Sequence, residues 1–144
     1  MRYSSFAHGV TAGILSALAG IIYLYFYEAF MFVDFSLVIN VYSISILSIF
    51  SCVLMALAYK FINQQKKQLL KAWVNLIIIA ITFISVLVPF GMTLPLEIDS
   101  PELFPGLTAP MHFFPVMVFF GLNPFFEKWS SHVSKKNNLI INAE

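Results

Sequence analysis

The distribution of lysine and arginine constrains this chain more than any other feature of its sequence. All eight basic residues fall into three clusters: Arg2; then Lys60, Lys66, Lys67 and Lys71; then Lys128, Lys135 and Lys136. The stretches between the clusters, residues 3–59 and 72–127, contain neither lysine nor arginine. Each stretch can cross a bilayer twice, because one helical crossing takes about 20 residues. The pattern therefore predicts two helical hairpins with their basic ends on the same side of a membrane.

The composition is that of a protein whose surface faces lipid. Of the 144 residues, 60% are hydrophobic and 10% are charged, and the mean hydropathy is +0.86. Soluble domains carry about 25% charged residues, because a domain in water needs a polar surface. The net charge of +1 gives no basis for binding nucleic acid. The single cysteine, Cys52, excludes an intramolecular disulfide.

Four apolar segments are long enough to span the hydrocarbon core, at about residues 6–27, 35–59, 72–94 and 110–126. We predict an all-α membrane protein, a single domain of four transmembrane helices in a compact antiparallel bundle. A short tail, residues 127–144, follows the last helix. Arg2 and the small residues Ala17 and Ala19 also resemble a signal peptide. The apolar run continues through Tyr27, however, which favours a retained span.

The charges also predict the orientation of the spans. Positively charged loops stay in the cytoplasm, so we expect an N-in/C-in topology with the loop of residues 64–70 and the tail cytoplasmic. Five acids lie at the opposite ends of the spans: Glu28, Asp34, Glu97, Asp99 and Glu102. Aromatic residues at both predicted boundaries, such as Tyr27 and Trp73, agree with this orientation. We predict an integral protein of a bacterial cytoplasmic (inner) membrane.

The link between the third and fourth spans contains a helix-start pattern. Ser100 precedes Pro101 and Glu102, which combines a hydroxyl cap, a fixed first residue and an acid near the positive end of the helix dipole. We predict a short interfacial helical turn near residues 101–105, with Leu103 and Phe104 dipping into lipid. In the fourth span, Pro115 and Pro124 predict a kink whose freed carbonyls bond to neighbouring helices.

Small residues form a stripe along one face of the first span: Gly9, Gly13, Ser16 and Gly20. Such stripes let two helix backbones approach closely in a membrane. The partner is either another helix of the same chain or, in a homo-oligomer or a complex with another membrane protein, a helix of a second chain. The spacing does not separate these alternatives.

Polar residues share faces on the other spans. Ser43 and Ser51 lie on one face of the second span, and Thr82 lies with Asn75 on the third. Unbonded polar groups are costly in lipid, so these faces are expected to point into the bundle. The amides predicted to lie inside it are Asn40, Asn75 and Asn123. The functional alternative to interhelical bonding is a polar ligand cavity between the second and third spans. The aromatic-rich fourth span could likewise line a site for an isoprenoid, sterol or quinone tail, or simply fill space.

Histidine and carboxylates provide one candidate polar site. His112 starts the fourth span near the acidic loops, where Glu97, Asp99, Glu102, Glu28 and Asp34 could converge. One imidazole with carboxylates suits a divalent cation or an acid/base pair acting on a lipid headgroup. Solvated loop charges explain the same acids without a site. His8 lies near the other boundary, where headgroups or water are expected to satisfy it.

The centres of the predicted spans contain no Asp, Glu, Lys or Arg. Proton transport and Schiff-base chemistry require ionisable residues within the membrane, so the sequence argues against both functions. We predict a non-enzymatic multi-pass protein that requires no cofactor, either an accessory subunit or a lipid-associated binding protein, with membrane lipids as partners. The alternative is a small outer-leaflet enzyme or carrier that uses His112 with the loop carboxylates.

Overall fold

The computed structural model describes residues 2–63, 68–96, 98 and 100–141, with side chains for 5–62, 69–96, 98, 100–126 and 128–129. This described part of the chain is helical and contains no strand. Its elements in order are α1 Arg2–Met31, α2 Val41–Asn63, α3 Gln68–Val86, the short α4 Val88–Gly91, a 3-10 turn Pro101–Leu103, and α5 Phe104–Ile141. Four segments are long and apolar enough to cross a membrane: Ser5–Met31, Val41–Ile62, Leu69–Gly91 and Pro101–Phe126. The prediction of four helices long and apolar enough to span a membrane is confirmed. The fourth helix is longer than predicted, because α5 begins at Phe104 and continues through the predicted tail to Ile141.

The loop between α1 and α2 explains why both helices differ from their predicted bounds. At the end of α1, Phe32 adopts a left-handed backbone conformation (φ 56°). The N–H of Val33 then donates to the carbonyl of Glu28 at 3.2 Å, which closes the helix in the manner of a Schellman motif. The chain turns over residues 33–40 before α2 begins at Val41. The buried Phe35 anchors this loop in the core.

Pro89 interrupts the third span. Proline has no N–H, so the carbonyl of Ser85 loses its helical donor and the chain turns at Leu87. The N–H of Leu87 donates to the Ile84 carbonyl at 3.1 Å, and that of Phe90 to the Leu87 carbonyl at 3.2 Å. These shorter bonds separate α3 from α4 and leave the apolar segment otherwise continuous.

The turn before α5 forms where the sequence predicts it, but two expected details are wrong. Ser100 has a left-handed backbone (φ 56°) and its hydroxyl makes no capping bond. Phe104 is 3% exposed, and its ring packs edge-on against Phe35 at 5.5 Å. The turn therefore folds over the end of the helices, and Phe104 fills the core instead of entering lipid. Leu103 is half-buried and packs against the same core cluster.

Proline within α5 links this helix to α1. Because Pro110 has no N–H, the carbonyl of Gly106 lacks its helical donor, and the hydroxyl of Tyr23 donates to it at 3.1 Å. One turn further along α1, the Tyr27 hydroxyl donates to the Leu103 carbonyl at 2.8 Å. The rescue of a freed carbonyl by a neighbouring helix is thus seen at Pro110, whereas the sequence predicted it for Pro115 and Pro124, where it stays a prediction.

Two buried clusters form the core, one at each end of the helices. The cluster at the end that carries Glu28 and Glu102, called here the acidic end, consists of Leu24, Phe35, Ile44, Ile98, Phe104 and Leu107. The cluster toward the other, basic end consists of Ala12, Cys52, Met55, Ala56, Tyr59 and Phe119. Helices α1, α2 and α5 contribute to both.

Helix α3 lies at the periphery. In its most apolar window 11% of the residues are buried, against 39% in α1. It contacts α5 through the rings of Phe83 and Phe113, 5.3 Å apart, and α2 through a hydrogen bond from the Tyr59 hydroxyl to Asn75. Between these contacts α3 stands away from α2, and the gap forms the candidate site.

Candidate functional site

A cavity of about 490 Å³ lies between α2, α3 and α5. This volume is within the range of small-molecule binding sites, about 300–1,000 Å³. Its walls comprise Gly20 of α1; Ile39 of the loop before α2; Ser43, Ile44, Leu47, Ser48, Ser51, Leu54, Met55 and Ala58 of α2; Ile78, Ile81, Thr82 and Ser85 of α3; and Thr108, Met111, His112, Phe114, Pro115 and Val116 of α5. The predicted alternative of a cavity between the second and third spans therefore has a counterpart in the structure.

The cavity opens sideways. Leu47 and Leu54 of α2 and Ile81 of α3 all line it, yet they are 64%, 50% and 60% exposed. Because these residues belong to the two helices on either side of the gap, the opening runs between α2 and α3. In a membrane this opening faces the hydrocarbon core, and a lipid can enter without crossing water.

Polar groups are confined to one part of the cavity. On α2 the lining residues extend from Ser43 to Ala58, about 22 Å along the helix axis at 1.5 Å per residue. The last hydroxyl on this wall is that of Ser51, and the remaining lining residues toward the basic end are Leu54, Met55 and Ala58. The other walls repeat the pattern, with Thr82, Ser85, Thr108 and His112 nearer the acidic end and Ile78 and Val116 nearer the basic end. The cavity is amphipathic along its length.

Most hydroxyls that line the cavity donate to a backbone carbonyl three or four residues earlier. The donor and acceptor pairs are Ser43 to Asn40 (2.8 Å), Thr82 to Ile78 (2.9 Å), Ser85 to Thr82 (2.7 Å) and Thr108 to Phe104 (3.0 Å). A hydroxyl that donates in this way still has lone pairs with which to accept. These residues consequently offer the cavity acceptors and no donors.

Among the described residues that line the cavity, His112 is the only one with an aromatic ring nitrogen. Its Nδ1 lies 2.8 Å from the carbonyl oxygen of Thr108. A carbonyl can only accept, so Nδ1 carries the hydrogen, and in the neutral ring Nε2 is left as an acceptor. None of the described residues bonds to this Nε2. The i, i+4 pair of Thr108 and His112 thus orients the imidazole.

Two of the acids predicted to join His112, Glu28 and Asp34, have local roles in the loop between α1 and α2. Glu28 accepts from the backbone N–H of Phe35 at 2.9 Å, and Asp34 accepts from that of Ser36 at 2.8 Å. The bonds from Ser36 hold the pKa of the Asp34 carboxyl below its usual value. Glu102 is exposed, and the described residues contain no group of three His, Cys, Asp or Glu side chains able to hold a metal ion. Glu97 and Asp99 lie outside the described residues, so the predicted cluster stays a prediction.

The three amides predicted inside the bundle differ in position. Asn40 is exposed and caps α2, because its Oδ1 accepts from the Ser43 N–H at 2.9 Å and its own N–H donates to the Ser43 hydroxyl at 3.1 Å. It is a helix cap and not an interhelical group. Asn75 does lie between helices, where it accepts from Tyr59. Asn123 is half-buried on α5.

The small-residue stripe packs against α2 of the same chain. A Cβ added at Gly9 would lie 2.7 Å from the Cβ of Ala56, and one at Gly13 would lie 2.6 Å from the Cα of Ile49. Ser16 is fully buried, and a Cβ at Gly20 would meet Ile44 at 2.9 Å. Pairing of two chains through this face would first require α1 and α2 to separate.

The expectation that headgroups or water satisfy His8 is wrong. His8 is 5% exposed and its ring stacks between those of Phe119 and Phe126, with centroids 4.4 and 4.6 Å away. Its Nε2 lies 3.1 Å from the Phe119 carbonyl oxygen. Through these contacts His8 packs α1 against α5 near the basic end.

The sequence predicted that the fourth span could line a ligand site and singled out His112, but it missed Thr108. The serine-rich face of α2 was visible as a pattern, but Thr108 lies before the predicted start of the fourth span. The overlooked signal is the spacing of Thr108 and His112, which a helix starting at residue 104 places on one face.

Comparison of the chain with protein-family models, curated proteins and solved structures gives no match. The function is therefore inferred from the cavity and from the charge pattern.

Proposed function

We propose that this protein is a four-helix integral membrane protein that binds a membrane lipid in the cavity between α2, α3 and α5. The carrying observation is the cavity itself, which has the volume of a ligand site, an amphipathic lining and an opening between two lipid-exposed helices. Lipid is the partner with direct access to such an opening.

We also propose that the four helices form a compact antiparallel bundle with a single orientation in the membrane. Its support is the clustering of all eight basic residues at one set of helix ends. By the positive-inside rule, both termini lie in the cytoplasm, together with the end of α5 from residue 127 to 141. A bacterial inner membrane is part of the proposal. The polar part of the cavity then lies in the outer half of the bilayer.

Binding fits the lining better than catalysis does. His112 is the single ionisable side chain among the described residues that line the cavity. Acid/base catalysis usually pairs such a group with a second one that orients it or completes the proton transfer. The imidazole is oriented here by a neutral backbone carbonyl, which suits a fixed hydrogen-bonding role.

Filling the cavity should remove the bound lipid. Ser51→Phe places a ring at the middle of the α2 wall, and we expect the lipid that co-purifies with the protein in mild detergent to fall at least about fivefold, because the ring takes up space that the lipid chain would fill. The measurement is mass spectrometry of lipid extracted from equal amounts of purified protein. Ile46→Phe, on the exposed face of α2, is the matched control and should retain the lipid. Equal lipid content in the two variants and the parent would exclude the cavity as the binding site.

A further inference from the structure

We infer that the ligand of this cavity is a long-chain or isoprenoid alcohol, bound with its hydroxyl beside His112 and its chain toward the basic end. This inference rests on the proposed function and names the chemical class of the lipid. Three independent properties of the cavity support it: its hydrogen-bonding groups, its lack of charge and its polarity along the helix axis.

Most polar groups that line the cavity can only accept hydrogen bonds, so they require a donor on the ligand. In the neutral imidazole, Nε2 of His112 is an acceptor, because the Nδ1 hydrogen is donated to the Thr108 carbonyl. The hydroxyls of Thr82 and Thr108 likewise donate their hydrogens to backbone carbonyls of their own helices. A ligand hydroxyl can donate to Nε2, and Ser48 and Ser51 provide further hydroxyls in the cavity lining. A ketone, quinone or ether offers acceptors alone and leaves Nε2 unmatched, which costs free energy where the bound chain excludes water.

The lack of charge argues against acidic lipids. Among the described residues, those that line the cavity include no Lys, Arg, Asp or Glu. A carboxylate or phosphate transferred into such a site would leave water without a compensating cation, and an unpaired buried ion is strongly disfavoured. Fatty acids and phospholipid headgroups are therefore poor occupants, whereas a neutral hydroxyl requires only hydrogen bonds.

The polarity along the cavity sets the orientation of the ligand. His112 and Thr108 lie nearer the acidic end, and the wall toward the basic end is formed by apolar residues such as Leu54 and Ala58. The α2 wall is about 22 Å long, most of the thickness of the hydrocarbon core, about 30 Å. One polar group at one end of a long apolar chain matches this lining.

A competition experiment with matched probes tests the alcohol. The full chain is reconstituted in phosphatidylcholine nanodiscs and labelled with a hexadecanol that carries a photoreactive diazirine in its chain; labelled residues are mapped by mass spectrometry. Unlabelled 1-hexadecanol, 1-methoxyhexadecane and palmitate compete. We expect labels on cavity residues of α2 and α5, and displacement by the alcohol at about tenfold lower concentration than by the ether, the worth of one hydrogen bond.

The outcomes separate this inference from the proposed function. Equal potency of alcohol and ether, or a preference for palmitate, overturns the alcohol while cavity labelling still supports lipid binding. Labels scattered over exposed residues, with no displacement by any competitor, overturn the lipid site itself. These comparisons use the unmodified protein and do not depend on any variant being folded.

His112→Phe tests the acceptor assigned to the ligand hydroxyl. We expect the variant to lose the tenfold preference for alcohol over ether while ether displacement stays unchanged. His112→Gln, which retains a carbonyl acceptor, should keep part of the preference. The control is Met117→Leu on the exposed face of α5, which should behave as the parent. A full preference in His112→Phe would show that His112 does not receive the hydroxyl.

Discussion

Replacing Gly13 with alanine should lower the free energy of unfolding by about 1–3 kcal/mol, the range for overpacking a close contact. The added Cβ would lie 2.6 Å from the Cα of Ile49. A backbone atom cannot rotate away as a side chain can, so α1 and α2 must move apart. Helices in lipid associate through close packing and not through exclusion of water, which makes the loss of contact along this interface directly destabilising.

The glycines of the chain provide a graded control series. At Gly20 the added Cβ would meet only side-chain atoms, of Ile44 at 2.9 Å and of Phe114 at 4.0 Å, so alanine there should cost less than at Gly13. At Gly121 nothing lies within 4 Å, and alanine should leave stability unchanged or raise it by up to about 1 kcal/mol through helix propensity. Reversible unfolding in mixed dodecyl sulfate micelles measures the series. Equal stability of the Gly13 and Gly121 variants would contradict the α1–α2 packing.

His8→Ala should cost about 2–4 kcal/mol of unfolding free energy. The substitution removes two stacked ring contacts, with Phe119 and Phe126, and a hydrogen bond to the Phe119 carbonyl. It also leaves a cavity between α1 and α5. His8→Phe keeps the stacking and loses the polar contact, so its cost should be smaller, about 1 kcal/mol.

Phe6→Ala is the matched control for His8, because it removes a ring from the same end of α1 at a position 59% exposed. A side chain that faces lipid in both folded and unfolded states contributes little, and we expect a change within about 0.5 kcal/mol. The same unfolding assay applies. Equal stability of His8→Ala and Phe6→Ala would contradict the packing of the His8 ring between α1 and α5.

The number of spans was predictable because charge is costly in lipid. Residues 3–59 and 72–127 contain no basic residue, and that absence over such lengths has few explanations besides double crossings. The helix bounds were less predictable. Those between α1 and α2 depend on Phe32, an aromatic residue in a left-handed conformation that sequence patterns assign to glycine or asparagine.

The candidate site was predictable in part for a related reason. Serines on one face of α2 indicated a polar surface, and burial in lipid requires such a surface to find partners. Whether the partners are helices or a ligand depends on how closely α3 approaches α2. That distance follows from the contacts of Phe83 and Asn75, which no pattern within one helix reveals. His8 was misassigned likewise, since its stacking partners are more than a hundred residues away on α5.

The most direct test of lipid binding by this protein is an experimental structure in nanodiscs supplied with 1-hexadecanol. We predict an elongated density between α2 and α3, with its polar end within hydrogen-bonding distance of His112 Nε2 and its chain running past Leu54 toward Ala58. Helices α2 and α3 packed against each other along their length, with density for the alcohol only on the outer surface, would contradict it.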